Sequence, residues 1–403
     1  MKFNFLRNKK KITKKFFVIF FSPLFLILSS CSRQAVVQQQ WDTKVNLGLG
    51  QSWFKLKSED PNRVKTFLNN FTNEFNRLQL ADPETANQAK VSFDFIGIDD
   101  GQTIISQLLS SDNSENAIDF GITNSISTIE LDRNNQLQNL LQTTTNAFKD
   151  DSELTFFQDN NNLLAEATNN LNKSFLQTPF NNWSNDENGL QKWNGIVYKF
   201  LYDLNDKQVN FYRGMIMIAG DDAKRSKIKK AWDDKDFITF RNFGIIHGNE
   251  SSAGRWKLQE NILKQHFGDK FTTLKEDKIN NPDKYILKEG RDIGQDPNFA
   301  IAFDDEASFA WNQNKGDGKR YTSIEPNGKV EVFALTNPLL YDIGSFRSDF
   351  NKKQAELIVQ TFINLAENKT DTYGPNVGYN GYRKIHSKNE ILKIYNKSLN
   401  KNE

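Results

Sequence analysis

Apolar residues recur every three or four positions at Val64, Phe67, Leu68, Phe71, Phe75 and Leu78. That spacing predicts an amphipathic helix over 64–80 with one buried face. Alternation ending on glycine predicts a strand at 45–50. A second strand at 91–98, a helix at 102–109 and a third strand at 117–122 follow. Another series starts with the apolar run 211–218. It continues through a helix at 223–232, a strand at 243–246, a helix at 254–266, and strands at 299–303 and 330–335. A strand at 341–346 and a long helix at 353–365 complete it. Strands alternating with helices predict an α/β fold on parallel strands. The stretch 143–205 is rich in Asn, and only 163–175 reads there as a helix.

The start of the chain follows a different pattern. Lys2, Arg7, Lys9, Lys10, Lys11, Lys14 and Lys15 precede an apolar run at 16–28, and Leu28-Ser29-Ser30-Cys31 follows. A basic start, a short apolar stretch and small residues before a cleavage point predict an exported leader at 1–30. The run falls short of the ~20 residues that a membrane-spanning helix needs. Cys31 is the only cysteine, so an intrachain disulfide is excluded. Leu-Ser-Ser-Cys resembles a bacterial lipobox. The resemblance implies a diacylglyceryl group and palmitate on Cys31, and a lipid tether on the outer face of the cell membrane. The stretch 34–40 reads as polar and featureless, and 31–41 is expected to be the tether. Without the leader, 45 basic residues face 50 acidic ones, a net charge of −5, which argues against a nucleic-acid partner. Hydrophobic residues make up 37% of the 403, enough for two lobes of ordinary size.

Catalytic signatures are missing from the sequence. His247, His266 and His386 have no Cys, Asp or Glu at zinc spacing, and there is no Gly-x-Ser-x-Gly elbow or Walker loop. Four polar turns follow predicted strands instead. They are Gln51-Ser52-Trp53, Thr123-Asn124-Ser125, His247-Gly248-Asn249-Glu250-Ser251-Ser252-Ala253-Gly254 and Asp304-Asp305-Glu306. Open α/β sheets place ligands at such turns. The turn at 248–254 offers hydroxyls and free N–H groups to an anion, although a plain Ser N-cap has the same pattern. Trp53, Trp183, Trp193, Trp311, Tyr212, Tyr341 and Tyr373 are candidates to stack on a planar or cationic ligand, Trp53 and Tyr212 first because they adjoin strand ends.

Longer strings carry a family resemblance. They include Asn210-Phe211-Tyr212-Arg213-Gly214-Met215-Ile216, Lys229-Lys230-Ala231-Trp232 and Thr239-Phe240-Arg241-Asn242-Phe243-Gly244-Ile245. Thr336-Asn337-Pro338 and Asp371-Thr372-Tyr373-Gly374-Pro375 also belong to the set. With these the chain resembles the high-affinity transport lipoproteins of mycoplasmas, also described as extracytoplasmic thiamine-binding lipoproteins. The resemblance implies a two-lobed type II periplasmic-binding-protein fold with two hinge strands, 211–218 and 341–346. Lobe 1 would hold 42–210 and 347–400, and lobe 2 would hold 219–340. It implies a ligand, thiamine or its pyrophosphate, held by Gln51, Ser52, Trp53, Asn124, Ser125, Tyr212, Asn249, Ser251, Ser252, Gly254, Asp304, Asn337 and Tyr341. No further cofactor is expected. The partners implied are the permease and ATPase subunits of an ABC importer, with the binding protein itself a monomer. Two other readings stay open: a phosphonate or other phosphate-bearing solute, and an adhesin-like surface lipoprotein. The leader generates a direct test. Cys31→Ala should abolish labelling by radioactive palmitate and move the protein from the detergent phase to the aqueous phase of a Triton X-114 partition.

Overall fold

The computed structural model describes residues 40–51, 62–110, 114, 116–149, 151, 153–157, 161–177, 207–309 and 321–400. The leader, Cys31, Ser52, Trp53, Trp183, Trp193 and Trp311 lie outside them. Residues 39–403 form one compact unit. Among the described residues twelve strands build two sheets. In chain order they are β1 (Lys44–Leu49), β2 (Ser92–Gly97), β3 (Phe120–Thr123), β4 (Gln138–Asn146), β5 (Gln208–Val209) and β6 (Phe211–Gly220). Then follow β7 (Ile245–His247), β8 (Tyr285–Leu287), β9 (Ile301–Asp305), β10 (Lys329–Leu340), β11 (Ile343–Phe346) and β12 (Gly381–Lys384). The seven-stranded sheet runs β12-β4-β11-β3-β1-β2 with β5 attached to β4, and the five-stranded sheet runs β10-β6-β9-β7-β8.

Both sheets are mixed, not parallel throughout. β1 pairs parallel with β2 and β3, whereas β11 runs antiparallel to β3 and β4. β11 carries the chain back from the smaller sheet and so enters the larger one from the opposite direction. The larger core is dominated by phenylalanine. The helix Arg63–Ala81 buries Phe67, Phe71 and Phe75, as its 3.6-residue pattern predicts. Phe71 meets Phe93 at 4.9 Å and Phe362 of the helix Lys352–Glu367 at 4.8 Å, both edge to face. Such pairs add about 0.5–1.5 kcal/mol to the burial of each ring.

The chain crosses between sheets at two adjacent places. At Asn210 it passes from β5 to β6, and at Tyr341-Asp342 from β10 to β11. The Tyr341 N–H donates to the Asn210 carbonyl (2.9 Å), so the crossings are hydrogen-bonded to each other. The second crossing is therefore a two-residue step, and the rest of 341–346 is a full member of the larger sheet. Two segments assigned by sequence to lobe 1 also reach the smaller sheet. The helix Asn161–Gln177 buries Leu164, Leu171 and Phe175 against Met215, Met217 and Leu335. The C-terminal helix Lys388–Ser398 hydrogen-bonds at its end to Asn261.

Arg213 on β6 is fully buried. Its Nε and Nη2 donate to Asp151 (2.5 and 3.0 Å), and Nη1 donates to the carbonyls of Thr155 (2.9 Å) and Thr336 (3.2 Å). Burial, and then the charge of Asp151, push the neighbouring Glu306 carboxyl well above its ordinary range. Removing the guanidinium strands two buried acids. Arg213→Met should cost about 3–5 kcal/mol in a urea titration at pH 7, whereas the exposed-residue control Lys90→Met should cost under about 0.5 kcal/mol.

Candidate functional site

The polar turns come to the crossings from both sheets. On the larger sheet, the Gln51 N–H donates to Asp99 (2.7 Å), and Gly50 faces the hydroxyl of Tyr373. Asn124 caps the helix Ser125–Leu131 by accepting the Ser127 N–H (2.8 Å), and the Ser125 hydroxyl donates to the Leu340 carbonyl (2.7 Å). These two residues thus fasten the turn to the second crossing.

On the smaller sheet, Asn249 and Ser251 are exposed. Ser252 is an N-cap whose Oγ accepts the Arg255 N–H (3.3 Å), and a π turn Ala253–Lys257 then leads into the helix Leu258–Phe267. Gly254 has a steric reason to be glycine. A Cβ there would overlap the Asp305 carboxylate and lie 3.5 Å from the Tyr212 ring. The helix start that reads in sequence as an anion seat is thus faced by the protein's own carboxylate. Asp304 is buried and accepts the Tyr321 hydroxyl (2.9 Å) and the Asp305 N–H (3.0 Å).

Tyr212 and Tyr341 bring the two halves together, with ring centroids 5.0 Å apart. Beside them Asp342 accepts the hydroxyl of Tyr379 (2.5 Å). Asn337 does not join this group. It is buried within β10, where it accepts the Phe157 N–H (2.6 Å) and donates to the Ser398 carbonyl (3.4 Å).

The electrostatics favour a positive guest. Burial, then Asp304, push the Asp305 carboxyl up to about 7, against the pull of Arg255. Burial also raises Asp342, against the Tyr379 hydrogen bond. The Tyr212 phenol is pushed up by burial and by the charges of Asp305 and Asp342. Arg255, whose charge pulls on Asp305, is engaged by Glu289 (3.1 Å) and the Lys288 carbonyl (2.7 Å), while its Nε is buried without a partner among the described residues. Burial lowers His247, whose Nδ1 hydrogen-bonds the Gly248 carbonyl (2.7 Å), so it adds no charge near neutrality. Among the described residues no cluster of three or more His, Cys, Asp or Glu is arranged to hold a metal ion.

Sequence reasoning missed Asp342, Tyr379, Arg255 and Glu289, and named Asp305 only as part of a turn. Asp342 directly follows Tyr341, so its neighbour was an available signal. Tyr379 reaches the site through β12 and could not be placed from local pattern.

Comparison with known proteins gives the family. A profile of the extracytoplasmic thiamine-binding lipoproteins matches residues 65–400. The chain belongs to that family. It is 44% identical to the high affinity transport system protein p37 of Mesomycoplasma hyorhinis, over 96% of this chain and 98% of that protein. The p37 protein of Mycoplasma pneumoniae is 38% identical over 77% of this chain and 82% of its own length. A solved structure of Mycoplasma hyorhinis Mh-p37, described as a candidate thiamine pyrophosphate transporter, superposes with a TM-score of 0.82 at 43% identity. It covers 90% of this chain and 100% of that one. The fold is the two-lobed type II periplasmic-binding arrangement, and the family places this protein outside the cytoplasm as a solute-binding component of a transport system.

The raised acid beside the crossings gives a pH signature. A carboxyl whose folded value lies above its ordinary 3.8 stabilises the fold fully below 3.8, and that stability is lost as pH rises toward about 7. Calorimetry of ligand-free protein should show Asp305→Asn flattening the fall in Tm between pH 4 and 7.5 and raising Tm at pH 8. An unchanged pH slope in the variant removes the assignment.

Proposed function

We propose that this lipoprotein captures thiamine or thiamine pyrophosphate in the cleft between its sheets and hands it to an ABC permease driven by its ATPase subunits. It acts as a lipid-anchored monomer on the outer face of the membrane. The observation that carries this reading is the lining at the crossings, where Asp305 and Asp342 flank the paired rings of Tyr212 and Tyr341. Carboxylates beside aromatic faces suit a flat ring with a fixed positive charge. The names of the relatives point the same way.

The cationic ring rests against Tyr212 and Tyr341, and phosphate oxygens extend away from Asp305, toward the exposed Asn249 and Ser251 of the turn that Ser252 and Gly254 shape. Gln51, Asn124, Ser125 and Asp304 hold the two walls of the cleft in place. Ser52 and Trp53 belong to the same proposal through their place after β1. Contact with both lobes at once favours the closed form. A bare phosphonate has less to gain here, because the acids nearest the tyrosines repel it.

Titration calorimetry separates the readings. Thiamine and thiamine pyrophosphate should bind, and methylphosphonate should not. Asp342→Asn should weaken thiamine about tenfold, ~1.4 kcal/mol, by removing one of the two charges that face the ring. Binding of methylphosphonate with no heat from either thiamine compound would overturn this function in favour of a phosphonate receptor.

A further inference from the structure

The C-terminal helix Lys388–Ser398 packs against the second crossing and touches both halves. At its start the Lys388 Nζ donates to the Leu137 carbonyl (2.8 Å), and Ile391 packs with Leu340 and Ile343 at the second crossing. One turn on, Tyr395 packs among Ile126, Ala253, Leu258 and Leu339, with Tyr212 on the margin of the cluster. The Ser398 carbonyl, at the far end, accepts from Asn261 (2.7 Å).

Ile126 adjoins the Asn124-Ser125 turn and Ala253 adjoins Ser252. Tyr395 is therefore wedged between the two turns that must approach when the sheets close. Its hydroxyl donates to Glu130 Oε1 (3.0 Å), and Lys257 donates to Glu130 Oε2 (2.6 Å). Glu130 sits on the helix Ser125–Leu131 of the larger-sheet lobe, and Lys257 on the π turn of the other. Glu130 is five residues beyond Ser125, which is fixed to the crossing. At ~1.5 Å of rise per residue it stands about 7 Å from that fixed point. A pivot about the crossings therefore moves Glu130 relative to Lys257.

We propose that Tyr395, Glu130 and Lys257 form a latch, held by the C-terminal helix, that opens when the lobes swing apart and sets how far the empty cleft closes. The latch is independent of which solute the cleft holds. Glu130 and Lys257 keep side-chain exposures of 36% and 27%, so salt reaches the pair and weakens it. The pair is weak enough to break in each cycle and still bias the two states.

Spin labels on cysteines introduced at the exposed Lys90 and Lys275, in the full chain carrying Cys31→Ser, report the separation of the lobes. Ligand-free protein at low salt should show a short-distance population. Lys257→Met should lower the short-to-long ratio about threefold, the size expected of one partly wetted pair. Tyr395→Phe should lower it in the same direction, and Lys257→Arg should restore it. Raising salt to 0.5 M should shift the parent protein as Lys257→Met does and leave that variant unmoved. Unchanged distances in both Lys257→Met and Tyr395→Phe overturn the latch, as does a fall in Tm with no change in distance, which marks the contacts as static packing.

Discussion

Arg213 is the charge around which the smaller sheet and the segment after β4 are arranged. Its guanidinium is wholly out of water, so every donor must find an acceptor or cost the fold dearly. Asp151 supplies two of them, and the carbonyls of Thr155 and Thr336 supply two more. The Arg213 carbonyl accepts the Glu306 N–H at the end of β9. One side chain and its backbone thus tie the 151–157 segment, β10, β6 and the Asp304–Glu306 turn together. The Asp304–Glu306 turn takes its position from this junction.

From that junction the chain crosses between sheets through one residue and then two. Asn210 and the Tyr341-Asp342 step carry little apolar packing of their own, but they are hydrogen-bonded to each other and to β4. Asn210 donates to Gln142 (3.0 Å), and Thr143 donates its N–H to the Asp342 carbonyl (2.9 Å). A joint of this kind fixes the axis while leaving the lobes free to pivot, which is the motion a solute receptor needs. Tyr341 and Asp342 lie on the joint itself, so ligand contacts there bear on both lobes.

Patterned elements were plain in the sequence. The helices Arg63–Ala81 and Lys352–Glu367 and the strands β1, β2, β6 and β9 each carry a regular apolar face. β4 was invisible because it reads Gln-Asn-Leu-Leu-Gln-Thr-Thr-Thr-Asn, yet Gln142 and Thr143 within it are fully buried. Gln142 Oε1 accepts from Asn210 and the Thr143 hydroxyl donates to the Asp342 carbonyl, 68 and 199 residues away, whereas Gln142 Nε2 is buried without a partner among the described residues, and no local pattern can announce that. The C-terminal helix escaped for a related reason. Its apolar residues are Ile391, Leu392, Ile394 and Tyr395, a single short patch amid lysines and asparagines.

The sequence by itself determined the class of fold, the run of strands and helices in each half, and the polar turns after the strands. These follow from periodicity and local backbone chemistry, which act between near neighbours. Only the tertiary structure decided the charge of the cleft. Asp305, Asp342, Tyr212 and Tyr379 lie far apart along the chain, and burial together shifts each from its ordinary behaviour. The structure also decided that Asn337 belongs to the scaffold, because its partners Phe157 and Ser398 reach it from 180 and 61 residues away. Long-range contact sets electrostatics and burial, and that is information a linear pattern does not hold.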